Sequence, residues 1–127
     1  MAFDSAECPR LGQSLLLGSG VRVRLRLAHF SDVGAIAELI ERHGESSANL
    51  PSERLVQFDP RRRYVVCARA LIDGAERLAG LGAIDLVAPP GEPEMLICDP
   101  EFGEDLPRVL AGVLRAAAQA SMRAHAA

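Results

Sequence analysis

The chain has 127 residues and a formal net charge of −3, and 49% of its residues are apolar while 24% are charged. This length and this balance predict one globular domain with a sizeable core and exclude a disordered chain. The negative net charge argues against nonspecific nucleic-acid binding, and four Phe, one Tyr and no Trp leave few side chains on which bases could stack.

Cysteine usage and hydropathy bear on the cellular compartment. Cys8, Cys67 and Cys98 are odd in number and widely spaced, which is typical of reduced thiols rather than of a disulfide framework. No stretch approaches the roughly 20 apolar residues of a membrane-spanning helix, and the N-terminal sequence MAFDSAE lacks the basic start of a signal peptide. We therefore expect a cytoplasmic protein with neither nucleic acid nor a membrane as a partner.

The chain begins with a segment that has no hydrophobic period. Residues 1–13 are expected to be a flexible lead-in, and residues 14–127 are expected to form a single domain. Residues 14–17 and 21–28 have the composition of strands, and the glycines between them favour a tight turn. These residues predict a β-hairpin at the start of the domain.

The second strand of this hairpin has a basic face. Arg22, Arg24 and Arg26 alternate strictly with apolar residues, which predicts one apolar face and one basic face. The basic face could collect an anion, or it could be a solvated or salt-bridged surface of the sheet. The arginines at 61–63 leave a similar choice between an acidic partner and a solvated entry to the next strand.

Two helices are predicted before that next strand. Ser31 is a candidate N-cap with Asp32 in the first turn, and apolar residues follow at helical spacing until Gly44 ends the helix. A polar loop that contains Pro51 then leads to a short helix over residues 52–58.

Three further strands follow with short connections. They are predicted at residues 64–70, 78–87 and 94–98. Gly80 and Gly82 lie inside the middle one and indicate a bulge, the close approach of another group, or weak packing. The short connections, one of them an Asp73-Gly74 turn, favour an antiparallel meander whose faces are covered by helices.

The last strand is followed by a sharp turn and a long amphipathic helix. Apolar residues recur at helical spacing from Leu106 to Ala117, while Arg108 and Arg115 lie on the other side. A helix that begins where a strand ends directs free backbone N–H groups and the positive end of its dipole at one point. A phosphate-bearing cofactor would therefore bind at the turn before Leu106.

The order of these elements resembles the N-terminal two-thirds of the GNAT superfamily of acyl-CoA-dependent N-acyltransferases. The resemblance lies in VRVRLRLAHFSDVGAIAELIERHG, RYVVCARA, LAGLGAIDLV and EMLICDP with the helix that follows, over about residues 14–124. The pattern is most similar to that of bacterial protein-lysine acetyltransferases. It implies an α+β fold with a mixed, mostly antiparallel sheet flanked by helices.

Domains of this superfamily usually continue beyond this helix with another strand, a helix and closing strands. The chain stops at Ala127, so the resemblance implies a truncated GNAT-like domain without the usual C-terminal strands. An uncovered strand at that position would be an adhesive sheet edge. We therefore expect a homodimer, or a partner chain, to complete the sheet.

The turn before the last helix departs from the superfamily pattern. In the superfamily its form is Arg/Gln-x-x-Gly-x-Gly/Ala, and its backbone N–H groups hold the coenzyme A pyrophosphate. Gly103, Leu106 and Arg108 occupy the three matching positions here. Glu104 and Asp105 place carboxylates where the anion would sit. The resemblance therefore implies a degenerate pyrophosphate loop.

The resemblance also assigns candidate site residues. In a working enzyme, Ile97, Gly103, Leu106 and Arg108 would bind acetyl-CoA or CoA, whereas a degenerate domain would require no cofactor. Glu94 matches the glutamate that opens the fourth strand of the lysine acetyltransferases and can act there as general base toward an amine. A glutamate serves as a general base only if burial raises its pKa toward neutrality. The alternative is a solvent-facing glutamate.

Other chemistries have little support in the sequence. Cys98 lies in an apolar run and is expected to be an inert core thiol. His29, His43 and His125 lie far apart, with no ligand at metal-binding spacing, so no metal site is expected. The sequence has no serine nucleophile elbow and no Walker-type loop.

Two functions stay open on this basis. The first is a GNAT-like domain that is catalytically impaired and acts as a binding, regulatory or dimerisation module. The second is an active acetyl-CoA-dependent N-acetyltransferase that acts on protein lysine or a small amine. A further possibility is an unrelated small α+β interaction domain.

Overall fold

A single open sheet of five strands is the centre of the computed structural model, which describes residues 14–43, 55–59, 61–87 and 92–126. The strands lie side by side in chain order and are β1 (Ser14–Leu16), β2 (Arg22–Leu27), β3 (Arg63–Ile72), β4 (Ala75–Asp85) and β5 (Pro93–Cys98). The expected α+β class is confirmed. Each neighbouring pair among these described strands is antiparallel.

Some sequence predictions fall outside the described residues. They are the lead-in at residues 1–13 with Cys8, the polar loop around Pro51, and the first part of the helix predicted at residues 52–58. The later part of that helix is described at Leu55 and Val56, which are helical. Leu55 is buried against the sheet, so this short segment belongs to the core.

The predicted first hairpin is confirmed. Leu17 N donates to Val21 O at 2.8 Å, and Gly20 N donates to Leu17 O at 2.9 Å. Gly20 has a φ of 92°, a conformation that glycine adopts without steric cost. The hairpin is therefore closed by its own backbone hydrogen bonds.

The predicted meander is also confirmed, but its strands begin and end at other residues. The β3–β4 turn consists of Asp73 and Gly74, both with positive φ, so Ile72 pairs directly with Ala75. The prediction that the strand begins at residue 78 was wrong because a two-residue turn lets pairing start at once. The sequence pattern did not indicate this start because Glu76 and Arg77 are charged.

The first long helix, α1 (Val33–His43), follows a single 3₁₀ turn, Phe30–Asp32. His29 is the N-cap of this 3₁₀ turn, whereas Ser31, the predicted N-cap, lies inside the turn. Asp32 explains the difference, because its Oδ2 accepts a hydrogen bond from His29 N at 2.7 Å and thereby starts the helical path two residues earlier.

The second long helix, α2 (Leu106–Ala126), lies on the opposite face of the sheet from α1. The core under α2 includes Val23, Leu25, Val66, Phe102, Leu106, Leu110 and Leu114. The core under α1 includes Ile36, Leu39, Val65, Cys67, Leu81 and Ile97. Two layers of helix therefore enclose the strands, as amphipathic helices beside a sheet require.

Gly80 and Gly82 combine two of the interpretations that the sequence left open. The register between β3 and β4 shifts between Ala68 and Arg69, which is a bulge beside Gly80. Both glycines are buried, and side chains of α2 approach their Cα atoms closely. The strand thus contains glycine where the helix presses on it.

Candidate functional site

The candidate cofactor site is the corner between β5 and α2. Asp99 follows the strand, and its Oδ1 accepts from Glu101 N at 2.9 Å to cap a 3₁₀ turn, Pro100–Phe102. Gly103 then adopts a φ of 121°, and Asp105 O accepts the first helical hydrogen bond, from Val109 N at 2.9 Å. The predicted strand, turn and helix are all present, with one 3₁₀ turn between strand and helix.

The turn of the first hairpin lies against this corner. Gly18 N donates to Asp105 Oδ2 at 2.6 Å, and Ser19 Oγ donates to Phe102 O at 3.1 Å. A Cβ atom on Gly103 would come within 2.9 Å of Ser19 Oγ, so the two turns are in close contact. The hairpin turn is therefore joined to the residues just before α2 by two hydrogen bonds and one close contact.

The residues predicted to bind a cofactor do not converge. Ile97 is buried in the core under α1, whereas Leu106 is buried in the core under α2, on the other side of the sheet. Gly103 is at the corner, and Arg108 is exposed on the first turn of α2. The side chains of these four residues therefore do not meet at one site, although Gly103, Leu106 and Arg108 all lie at or beside the corner.

The candidate general base, Glu94, is at the start of β5. Its Oε1 lies 2.6 Å from Arg63 Nε, and about a third of its side chain is exposed (35%). The Arg63 Nε atom is buried and has no hydrogen-bond partner, so its contact with Glu94 is an ion pair. Glu94 is therefore a paired carboxylate at the sheet edge.

A cleft of about 480 Å³ opens beside this ion pair. It is lined by Leu55, Gln57, Phe58, Asp59, Arg62, Arg63 and Asp85. Its volume falls within the range of small-molecule sites. Two of its carboxylates are already engaged, because Asp59 accepts from Arg61 N at 3.0 Å and Asp85 accepts from Val87 N at 2.7 Å. Arg63 connects this cleft to Glu94.

Comparison with protein-family models, curated proteins and solved structures finds no match to this chain. In the described residues, no helix has the length and hydropathy that crossing a bilayer would require.

Sequence reasoning missed a buried ionic cluster around Asp32, whose side chain is 2% exposed. Arg26 binds this carboxylate bidentately, at 2.9 Å and 2.7 Å, and Arg69 donates to it at 3.0 Å. Arg69 also donates to Glu76 at 3.2 Å. The alternating arginines were the available signal, but the sequence alone did not identify their partner.

The described cysteines are buried or half-buried, and His43 contacts a carboxylate. Burial raises the pKa of Cys98 to about 11, and it raises that of Cys67, together with the nearby Asp32 carboxylate, to about 12. Neither thiol is thus a ready nucleophile. His43 Nε2 lies 3.5 Å from Asp99 Oδ2 and connects the end of α1 to the corner. No group of His, Cys, Asp and Glu suited to a metal ion occurs in the described parts of the chain.

Proposed function

We propose that the chain is a GNAT-like domain that acts as a binding module and does not use an acyl-CoA cofactor. The order of β2, α1, β3, β4, β5 and α2 supports the GNAT-like part of the proposal. The corner before α2 supports the second part. A pyrophosphate would have to approach the free N–H groups of that helix, which is where the hairpin turn lies.

The single observation that carries the proposal is the contact between Gly18 N and Asp105 Oδ2 at 2.6 Å. It places a carboxylate and a second loop at the end of the helix that an anion would need. Glu104, which is exposed, adds another negative charge. Each charge-assisted hydrogen bond that the pyrophosphate fails to make weakens binding by about 1.5–3 kcal/mol, or roughly 10- to 150-fold.

Coenzyme A and acetyl-CoA are therefore expected to leave the melting temperature unchanged in a thermal-shift titration. A ligand at about 100 times its dissociation constant would add roughly 2.7 kcal/mol of stability, or about 10 °C for a domain of this size. Saturable stabilisation at micromolar coenzyme A would contradict the proposal. The paired substitution Glu104→Gln, Asp105→Asn serves as the matched variant. If it gains binding, charge excludes the cofactor, and if it does not, the hairpin turn does.

An active N-acetyltransferase is the second candidate function. The specific observation in its favour is that Glu94, the second residue of β5, contacts Arg63, which lines the cleft. In this reading the cleft would admit a lysine or a small amine and Glu94 would accept its proton. Acetyl transfer to a lysine peptide that Glu94→Gln abolishes would support this candidate, and equal turnover by the variant would remove Glu94 from the mechanism.

The binding role that we propose uses the β5 edge of the sheet. β5 pairs with β4 on one side, and no described strand pairs with its other side. Leu96, near the middle of β5, is 39% exposed. A second copy that adds its own β5 would continue the antiparallel sheet and cover this edge.

We expect light scattering after size exclusion to give the mass of a dimer. Leu96→Lys places a charge on the β5 edge and is expected to shift the protein to a monomer. Val87→Lys is the matched control, because Val87 is exposed (60%) but follows β4 outside the strand. A wild-type monomer at high protein concentration would contradict self-pairing through β5.

A further inference from the structure

Part of the sheet face that carries α1 is open. α1 packs on β4 and β5, whereas the outer ends of β1, β2 and β3 have exposed side chains on this face. Leu16 pairs with Arg22, and Arg22 pairs with Leu71, so these three side chains form one row across the sheet. Leu16 is 66% exposed and Leu71 is 45% exposed. A guanidinium is therefore flanked by two solvent-exposed leucines.

The arginines of β2 make fewer ionic contacts the closer they lie to this row. Arg26 is held by the buried Asp32 carboxylate. Arg24 has one ionic contact, at 3.6 Å to Glu76, and half of its side chain is exposed. Arg22 is exposed and has no ionic or hydrogen-bonded side-chain partner among the described residues. Arg26 therefore stabilises the fold, Arg24 is shared between Glu76 and solvent, and Arg22 presents its charge to solvent.

We propose that the open face, formed by Leu16, Arg22, Arg24 and Leu71, binds an acidic amphipathic helix of a partner protein. Arg22 and Arg24 lie on one side of β2 about 7 Å apart along the strand. The Cβ atoms of glutamates at positions i and i+4 of a helix are about 5–6 Å apart, so two long guanidinium side chains can reach both carboxylates. Arginine binds carboxylates bidentately, so the pairing is geometrically specific.

Apolar contacts complete the match. Leu16 and Leu71 flank the basic centre, and the apolar side of an amphipathic helix would cover them. The rest of this same sheet face is covered in that way, by α1 with its buried Ile36 and Leu39. The chain as a whole is negative, at −3, so the basic centre is a local feature that selects a negatively charged partner rather than a general property of the surface.

The proposal is tested with a fluorescein-labelled synthetic peptide that has glutamates at i and i+4 and leucines on the adjacent face. Fluorescence anisotropy with the full chain is expected to show saturable binding that weakens as salt increases. Arg22→Glu is expected to weaken binding at least about 10-fold, because it replaces an attraction by a repulsion at a side chain that has no ionic or hydrogen-bonded partner among the described residues. Leu71→Ser is expected to weaken binding without changing its salt dependence.

Two controls make the test specific. Arg115→Glu reverses an exposed arginine on α2, on the other face of the sheet, and is expected to leave peptide binding unchanged. A peptide with lysines in place of the glutamates is expected not to bind. Equal binding of both peptides, or equal binding by wild type and Arg22→Glu, would overturn the proposal. So would tighter binding to phosphatidylserine vesicles or to an oligonucleotide than to the acidic peptide.

Discussion

Asp32→Ala is expected to lower the free energy of unfolding by about 3 kcal/mol, because removing one partner of a buried ion pair leaves the other charge uncompensated. The Asp32 carboxylate is 2% exposed, and it accepts from Arg26, from Arg69 and from His29 N. Without it, two guanidinium groups would repel each other at the edge of the core. The estimate lies at the low end of the usual range because about a third of the Arg26 side chain (34%) is exposed and gains water.

Urea unfolding of wild type and variant measures this loss directly. Glu92→Ala is the matched control, since the Arg115–Glu92 pair is 48% and 61% exposed and an exposed pair contributes about 0–1 kcal/mol. The pKa of Cys67 supplies a second readout. Asp32 helps to raise that pKa, so Asp32→Ala is expected to lower it and to speed thiol alkylation at alkaline pH. Equal unfolding energies for the two alanine variants would show that the cluster contributes no more than a surface pair.

The Asp32 cluster also shows which parts of the structure local sequence patterns cannot predict. The alternation of arginines in β2 correctly predicted one basic face, since side chains point to opposite faces with a period of two. Which arginine of β2 binds a buried carboxylate depends on Asp32 and on Arg69, which lies 43 residues beyond Arg26 in the chain. No local period contains such a contact. The same carboxylate displaced the helix cap from Ser31 to His29.

At the candidate cofactor site, too, local features could be predicted and contacts between distant residues could not. The strand, the turn and the helix around Gly103 could be predicted because each has a local signal in composition and spacing. The contact of Gly18 with Asp105 could not, because the two residues are 87 positions apart. Glycine and serine in a hairpin tip are selected by turn geometry alone in most proteins, so they gave no hint of a partner.

Ile97 and Leu106 lie on opposite faces of the sheet for a different reason. Sequence order brings both residues near the turn, and a resemblance to other proteins assigned both to one ligand. Ile97 lies on the side of β5 that faces α1, whereas Leu106 begins the helix on the other side. The sheet separates them, because alternate residues of a strand face opposite layers.

Gly82→Val is expected to destabilise the fold by roughly 3 kcal/mol, since adding atoms to a well-packed core forces side chains or backbone to shift. A Cβ atom at Gly82 would lie 2.6 Å from Leu114 Cδ1, 3.2 Å from Leu96 Cδ2 and 3.3 Å from Leu110 Cγ. Leu110 and Leu114 are residues of α2 whose side chains are fully buried between the helix and the sheet, so neither has free space into which to move. Relief would require α2 to move away from β4.

Glycine substitutions elsewhere in the chain provide a graded control for this prediction. A Cβ atom at Gly80 would meet Cys98 Sγ at 3.1 Å and Leu106 Cδ2 at 3.3 Å, so Gly80→Ala is expected to cost less than Gly82→Val. Gly112 is exposed on α2, and nothing lies within 4 Å of its Cβ position. Gly112→Ala is therefore expected to stabilise the helix by about 0.5–1 kcal/mol. In thermal unfolding, Gly82→Val is expected to have the lowest melting temperature, Gly80→Ala an intermediate one and Gly112→Ala the highest. A Gly82→Val protein as stable as wild type would mean that α2 does not press on β4 at this position.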